Sequence, residues 1–316
     1  MPNQKGLEEG RKAFVLGHPI EHSLSPALHQ SAYNFLGLSL NYQRLDTRVS
    51  DLPQRFGDNV TRHKIVGYSV TMPLKGAICD FIDRVGEFAG AVGAVNTVYW
   101  RCSGERVESW GHNTDVAGIV KALEYSGAPQ KPRLSAAVLG GGNTAASALV
   151  ALKILGAASV DLFMRNPQKA QSLLPVAQAT GLNVRINLLD SFADSYAAYD
   201  SVISSLPAGA ADMLLQKAQT PTVGSLLDVA YDPWPSDLAR IWKNLGGSVV
   251  SGKDMLLYQA VDQIKLFLGV NPSDKFSREL EMVNTMCRAI GLEERQKLST
   301  FSIDPHVSIA SFSSAH

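Results

Sequence analysis

Apolar residues fall along this chain in two patterns. Short continuous runs read as buried strands, and stretches with apolar residues every three or four positions read as helices. Ala13-Phe-Val-Leu16, closed by Gly17, is the first strand. Ser25-Pro26 opens a helix, with Ser25 as the expected cap and Pro26 at the first helical position. Leu28, Tyr33 and Leu36 line its inner face, and Gly37 stops it. Residues 40–45 return as a strand, a short helix covers 51–56, and 65–70 form the next strand. Leu74, Ile78, Phe81 and Val85 continue at helical spacing. Residues 96–100 and 107–110 pair as a hairpin around Ser103-Gly104. These elements predict an α/β domain with a mixed sheet over residues 1–114.

From Asp115 to Ser126 the pattern is an amphipathic helix that links this domain to a second one, and residues 127–132 are rich in turn formers. Ala136-Ala-Val-Leu139 is a strand, residues 140–144 a turn, 145–155 a helix ended by Gly156, and Ser159-Val-Asp-Leu-Phe163 a second strand. That is a βαβ unit of about thirty residues. Further strands at 184–187, 201–204, 225–229 and 248–250, with helical segments between several of them, predict a doubly wound Rossmann-type domain over 115–253. Helical patterns at 255–268 and 275–290 then return to complete the first domain (254–292). The Ser-rich tail, residues 293–316, reads as a loosely ordered extension.

Composition narrows the function. The 316 residues are 45% hydrophobic and 18% charged, enough for sizeable cores, and the formal net charge is zero. A neutral chain offers no field for nucleic acid or an anionic membrane, so a small-molecule substrate is expected, with neither of those as partner. Cys79, Cys102 and Cys287 form no Cys-x-x-Cys pair and the histidines no His-Glu-x-x-His, so no metal is expected. The first ten residues lack a signal peptide's apolar core, and the apolar stretch 145–160 is short and broken by Lys153, which suits a cytoplasmic protein. Monomer and homodimer both remain open.

The turn Gly140-Gly141-Gly142-Asn143-Thr144-Ala145 carries the clearest chemistry. A dinucleotide pyrophosphate needs backbone N–H groups at a helix N-terminus with no side chain in the way. Gly140 and Gly142 meet the first two requirements, and Ala145 permits close helix–strand packing. Asn143 sits where glycine is easier and is expected at or near positive φ. The next strand ends Phe163-Met164-Arg165-Asn166. An acid binding the ribose 2′-hydroxyl of NAD is missing there, and Arg165 can instead pair with a 2′-phosphate, which favours NADP(H). A solvated loop charge is the plain alternative for Arg165.

Three further segments put polar residues at the ends of apolar strands of the first domain, where ligands of open α/β sheets collect. Ser23 and Ser25 offer hydroxyls for a carboxylate, and Asn96 offers a donor and an acceptor for ring hydroxyls. Lys75 with Asp115 makes a cation–carboxylate pair suited to proton exchange with an alcohol or ketone. Each has a structural alternative: Ser25 and Asp115 as helix caps, Asn96 as a turn cap, Lys75 as a surface charge.

These segments together resemble the shikimate dehydrogenase family. The motifs are His22-Ser-Leu-Ser-Pro26, Val70-Thr-Met-Pro-Leu-Lys75, Gly93-Ala-Val-Asn-Thr97, Gly111-His-Asn-Thr-Asp115, Leu139-Gly-Gly-Gly-Asn-Thr-Ala145, Asp228-Val-Ala-Tyr-Asp-Pro-Trp-Pro235 and Ser251-Gly-Lys-Asp-Met-Leu-Leu-Tyr-Gln259, in the family's order. The resemblance implies that Ser23 and Ser25 bind the substrate carboxylate and that Thr71, Asn96, Asp115 and Gln259 bind ring hydroxyls. It makes Lys75 the catalytic lysine, paired with Asp115, and places Tyr231 near the substrate. Gly140 to Ala145, Arg165, Asn166, Gly252 and Met255 then serve the cofactor. The implied reaction is the reversible NADPH-dependent reduction of 3-dehydroshikimate to shikimate in aromatic amino-acid biosynthesis. The rivals are an NAD-linked quinate/shikimate dehydrogenase and a non-catalytic ligand sensor. Many family members carry Asn where Ser69 stands, which bears on the ring-hydroxyl contacts.

Overall fold

The computed structural model describes residues 10–57, 64–103 and 106–308. In chain order its elements are β1 (Lys12–Gly17), α1 (Ser25–Phe35), β2 (Asn41–Asp46), α2 (Leu52–Gly57), β3 (Ile65–Val70), β4 (Arg84–Val85), α3 (Glu87–Val92), β5 (Thr97–Ser103), β6 (Arg106–His112) and α4 (Asp115–Tyr125). There follow β7 (Ala136–Leu139), α5 (Asn143–Ile154), β8 (Ser159–Met164), α6 (Leu174–Thr180), β9 (Asn183–Leu188), β10 (Ser201–Ser204), β11 (Ser225–Asp228), α7 (Asp237–Asn244), β12 (Ser248–Ser251), α8 (Gly252–Phe267) and α9 (Glu279–Ala289). Two compact units result. One comprises Met1–Gly90, Ala94–Thr114 and Ala260–His306, the other Ala91–Gly93, Asp115–Gln259 and Val307–His316. The helix α8 contributes residues to both.

The first unit holds a mixed sheet in the order β2-β1-β3-β5-β6-β4. β1 runs parallel to β2 and β3, and β5 runs antiparallel to β3 and β6. All six residues of β3 are buried, as a strand covered on both faces requires. Leu16, Phe56, Tyr68, Leu74, Ile78 and Val98 pack in one of its cores. Gly67 of β3 lets the end of α8 approach: a Cβ there would overlap the Phe267 ring.

Two local expectations give way here. Ser25 is not the cap of α1 but its first residue, and its own N–H is taken by the Ser23 hydroxyl at 3.3 Å. The apolar spacing from Leu74 to Val85 does not make an α-helix. It folds as a turn, a 3-10 segment over Ala77–Phe81, and the short strand β4. Asp83 explains the change. Its carboxylate accepts the Ser109 N–H at 2.8 Å and hydroxyl at 2.7 Å, which draws Arg84–Val85 alongside β6. The hairpin of β5 and β6 forms where the alternation put it; Gly104 at its tip lies outside the described residues.

The second unit is an all-parallel sheet in the order β12-β11-β10-β7-β8-β9, with its order reversing at β7. This is the doubly wound Rossmann arrangement, whose ligand sites lie beyond the strand carboxyl ends at the reversal. The residues from Ala145 to Leu152 of α5 are all buried, which matches their almost uninterrupted apolar sequence.

Residues 293–308 carry no regular element, yet they are anchored as far as His306, whose ring meets Trp110 edge-on. Ile303 is buried, Arg295 and Asn284 exchange hydrogen bonds, and Asn271 donates to Asp304 at 2.7 Å. Ile303 and Asp304 do not have the loose attachment expected of the Ser-rich tail. Among the described residues, no helix is long and apolar enough to cross a membrane, and no group of three or more His, Cys, Asp or Glu is placed to hold a metal.

Candidate active site

In the first unit, the carboxyl ends of β1 and β3 are tied together. The Thr71 N–H donates to the Leu16 carbonyl at 2.8 Å, and the His18 N–H to the Met72 carbonyl at 3.0 Å. This holds the segment that carries Ser23 and Ser25 near the segment that carries Thr71 and Lys75. The Ser23 carbonyl accepts two bonds from the Arg44 guanidinium, at 2.6 and 3.1 Å. Ser25 is buried, and its hydroxyl reaches the Tyr42 phenol, whose pKa is pushed up by burial. Lys75 is half-buried, and its carbonyl accepts the Val95 N–H at 2.8 Å, just ahead of Asn96.

Asn96 is buried and its amide is well anchored. Its Oδ1 accepts the Thr114 N–H at 2.8 Å and the Thr97 hydroxyl at 2.7 Å, while Nδ2 donates to Thr114 Oγ1 at 2.9 Å. Asn96 therefore fixes the residue that precedes Asp115. Of the other members of this buried polar cluster, Ser69 was noted from sequence, whereas Tyr42, His29 and Gln263 were not. Tyr42 donates to Ser69 at 2.6 Å, Ser69 to Gln263 Oε1 at 2.6 Å, and His29 stacks on the Tyr42 ring with centroids 4.0 Å apart. Burial lowers the pKa of His29 to about 3, so its imidazole is neutral.

In the second unit, Asp115 is buried in the first turn of α4. Lys75 and Asp115 belong to different units, so their pairing stays an inference from the sequence motifs. Gly140 closes the β7 ladder by donating its N–H to Phe163 at 2.9 Å. Its φ is +110°, and a Cβ there would overlap the Ser205 hydroxyl. Gly141 lies against the Met164 methyl group, and Gly142 has open space around its Cα. Asn143 does not adopt positive φ. It is the first residue of α5, and the left-handed position falls three residues earlier, on Gly140. A strand that turns directly into a helix needs its sharp bend at the strand's end, where only glycine is unstrained.

The N-terminus of α5 has Gly142 as its cap and no side-chain cap bond, so no side chain there competes with an anion for the first N–H groups. Thr144 and Ala145 follow in that first turn, Ala145 fully buried. Arg165 and Asn166 are exposed beyond the end of β8, and Asn166 caps the following 3-10 segment through Gln168 N–H. Lys169, also exposed, adds a second cation that the sequence reading passed over; its place four residues after Arg165 was the available clue. Asp161 is no substitute for a ribose-binding acid. Arg185 grips it with two bonds, at 2.5 and 2.8 Å, and Tyr199 donates at 2.8 Å, which holds it below the usual carboxylate range despite its burial.

Tyr231 sits half-buried in a loop pinned at both ends. Asp228 accepts the Ser236 hydroxyl at 2.6 Å and the Ala230 N–H at 3.3 Å. Gly252 packs so closely on the end of β11 that a Cβ would overlap the Val229 carbonyl. Met255 and Gln259 are buried one and two turns further along α8, and Gln259 donates to the Leu256 carbonyl at 2.9 Å.

Comparison with known proteins places this geometry. A family profile described as the shikimate dehydrogenase substrate binding domain matches residues 15–98. The shikimate dehydrogenase (NADP(+)) of Maridesulfovibrio salexigens is 30% identical over 274 residues, 84% of this chain and 94% of that one. The crystal structure of Mycobacterium tuberculosis shikimate dehydrogenase, 34% identical, matches with a TM-score of 0.74 over 88% of this chain and 99% of that chain. Thermus thermophilus shikimate 5-dehydrogenase, in complex with NADP(H) and shikimate, is 30% identical with a TM-score of 0.70, covering 88% and 99%. A quinate dehydrogenase from Corynebacterium glutamicum in complex with NAD is also similar, at 26% identity and a TM-score of 0.72, covering 89% and 100%. Sequence identity that extends over most of the chain, on the same two-sheet architecture, shows that this chain belongs to the shikimate dehydrogenase family of NAD(P)-dependent oxidoreductases, in which quinate dehydrogenases also occur.

Proposed function

We propose that this chain is an NADP-linked shikimate dehydrogenase, interconverting 3-dehydroshikimate and shikimate in aromatic amino-acid biosynthesis. The observation that carries the choice of cofactor is the end of β8. Arg165 and Lys169 are exposed there, and the nearest acid in the strand, Asp161, is consumed by Arg185 and Tyr199. Two cations without an acid suit a 2′-phosphate and disfavour the bare ribose diol of NAD. The glycine cradle fits the rest of the dinucleotide. Gly140 supplies the bend, Gly142 leaves α5 open to the pyrophosphate, and Gly252 lets the start of α8, which carries Met255, pack against Val229 at the end of β11.

The residues take these roles on this reading. Ser23 and Ser25 hold the carboxylate, and Thr71, Asn96, Asp115 and Gln259 the ring hydroxyls, with Tyr231 beside them. When bound, the nicotinamide cofactor exchanges hydride with the ring carbon. The Lys75 ammonium gives a proton to the carbonyl oxygen in the reducing direction and takes it back from the alcohol in the other.

The test is loss of NADPH absorbance on adding 3-dehydroshikimate to the purified protein. Oxidation of NADPH matched by shikimate formation is expected. A protein that binds 3-dehydroshikimate without oxidising NADPH would be a sensor on this scaffold, and the proposal would fail.

A further inference from the structure

Gln263 sits at the centre of the buried polar cluster, and its amide has only one orientation that satisfies its neighbours. Ser69 donates to Oε1 at 2.6 Å, and His29 Nε2 lies 3.3 Å from the same oxygen. His29 is neutral, and the Gln263 oxygen that its Nε2 faces can only accept, so Nε2 carries the proton and Nδ1 is left to accept from the Tyr33 hydroxyl at 3.2 Å. The Ser69 hydroxyl spends its hydrogen on Gln263 and accepts one from Tyr42. With Oε1 held by donors, Nε2 must face the other way. There it donates to the Asn96 carbonyl at 3.0 Å and to Thr97 Oγ1 at 3.1 Å.

That second bond has a consequence. Thr97 Oγ1 accepts from Gln263, so its own hydrogen is turned onto Asn96 Oδ1 at 2.7 Å. The Thr114 N–H meets the same oxygen at 2.8 Å. The Asn96 amide is thereby locked with its oxygen on Thr97 and the Thr114 N–H and its nitrogen on Thr114 Oγ1. We propose that Gln263 is a positioning residue that acts through Thr97 to fix the polarity of Asn96, which makes Asn96 select a ligand oxygen able to accept. The inference rests on the reading that Asn96 binds a substrate ring oxygen.

A double-mutant cycle tests it. Gln263→Glu keeps the shape but loses both Nε2 donors, and Thr97→Val keeps the shape but breaks the link to Asn96. Each is expected to raise the KM for shikimate about tenfold, the cost of a mis-set buried polar group. The KM for NADP is expected to stay within about twofold of the parent. The double variant is expected to stay near tenfold, because both changes cut one chain of hydrogen bonds. A purely structural defect would lower the amount of folded enzyme, and so the apparent kcat, and leave KM alone. Singles with the parental KM, or a double variant near a hundredfold, would overturn the proposal. If Gln263→Glu does not fold, Thr97→Val decides alone: a raised shikimate KM supports it and an unchanged one overturns it. A parent enzyme that turns over neither shikimate nor quinate would instead remove the reading on which the inference stands.

Discussion

Lys75 and Asn96 are placed by the same short contact, the Val95 N–H on the Lys75 carbonyl. The side chain proposed to move the proton and the one proposed to orient the ring therefore share one anchor. Replacing Lys75 with Ala removes the proton carrier and leaves that backbone bond intact. Turnover should fall by about a hundredfold to ten-thousandfold, with a much smaller change in shikimate binding by calorimetry; normal turnover would refute the assignment. Burial sets a second expectation at this scale. His29 and His112 are both pushed down to about 3 by desolvation, from an ordinary value near 6.5. The folded state keeps them neutral while the unfolded chain takes up protons below about pH 6.5. Stability is therefore complete above that pH and falls as the pH drops towards 3, each histidine contributing at most about 1.4 kcal/mol per pH unit. Urea midpoints measured on either side of about pH 6.5 should show this loss, and His29→Gln should lessen it. Single residues were legible where a short motif carried them, as with Lys75, Asn96 and Asp115. Gln263 was not, because its partner Ser69 lies 194 positions away and no local pattern records such a bond.

At the scale of elements, the glycine turn divides the work unevenly among its residues. Gly140 has positive φ and no room for a side chain, whereas Gly142 has open space. Gly140→Ala should lose both stability and NADP binding, while Gly142→Ala should melt close to the parent temperature and differ only in cofactor binding. Equal melting losses would show that the strain has been misplaced. Beyond β8, Arg165→Ala and Lys169→Ala together should raise the KM for NADPH by about tenfold to a hundredfold, as expected for loss of charge-assisted bonds. The KM for NADH should hardly move. Elements that are largely apolar runs bounded by turn formers, such as β3 and α5, could be read directly. The stretch from Leu74 to Val85 could not, because Asp83 overrides its helical spacing through a bond to Ser109 in another strand. Asn143 failed as a guess for a related reason: the strand's end, not the helix's start, takes the bend.

For the whole molecule, chain order and strand order tell different stories in the two units. The second sheet follows from its βα alternation, since right-handed crossovers leave few arrangements open. The first sheet's order, with β5 and β6 between β3 and β4, depends, beyond the β5–β6 hairpin, on the β3–β5 and β4–β6 pairings, which no spacing reveals. Family membership accounts for an oxidoreductase with a nicotinamide cofactor, and quinate dehydrogenases lie within the same range of similarity. The central claim is therefore one of selectivity, that this chain prefers shikimate with NADP over quinate with NAD. Initial rates on one enzyme preparation, with each alcohol paired with each oxidised cofactor, test it most directly. The account expects kcat/KM for shikimate with NADP to exceed the other three combinations, by about tenfold or more over shikimate with NAD. Quinate with NAD as the fastest combination would contradict it.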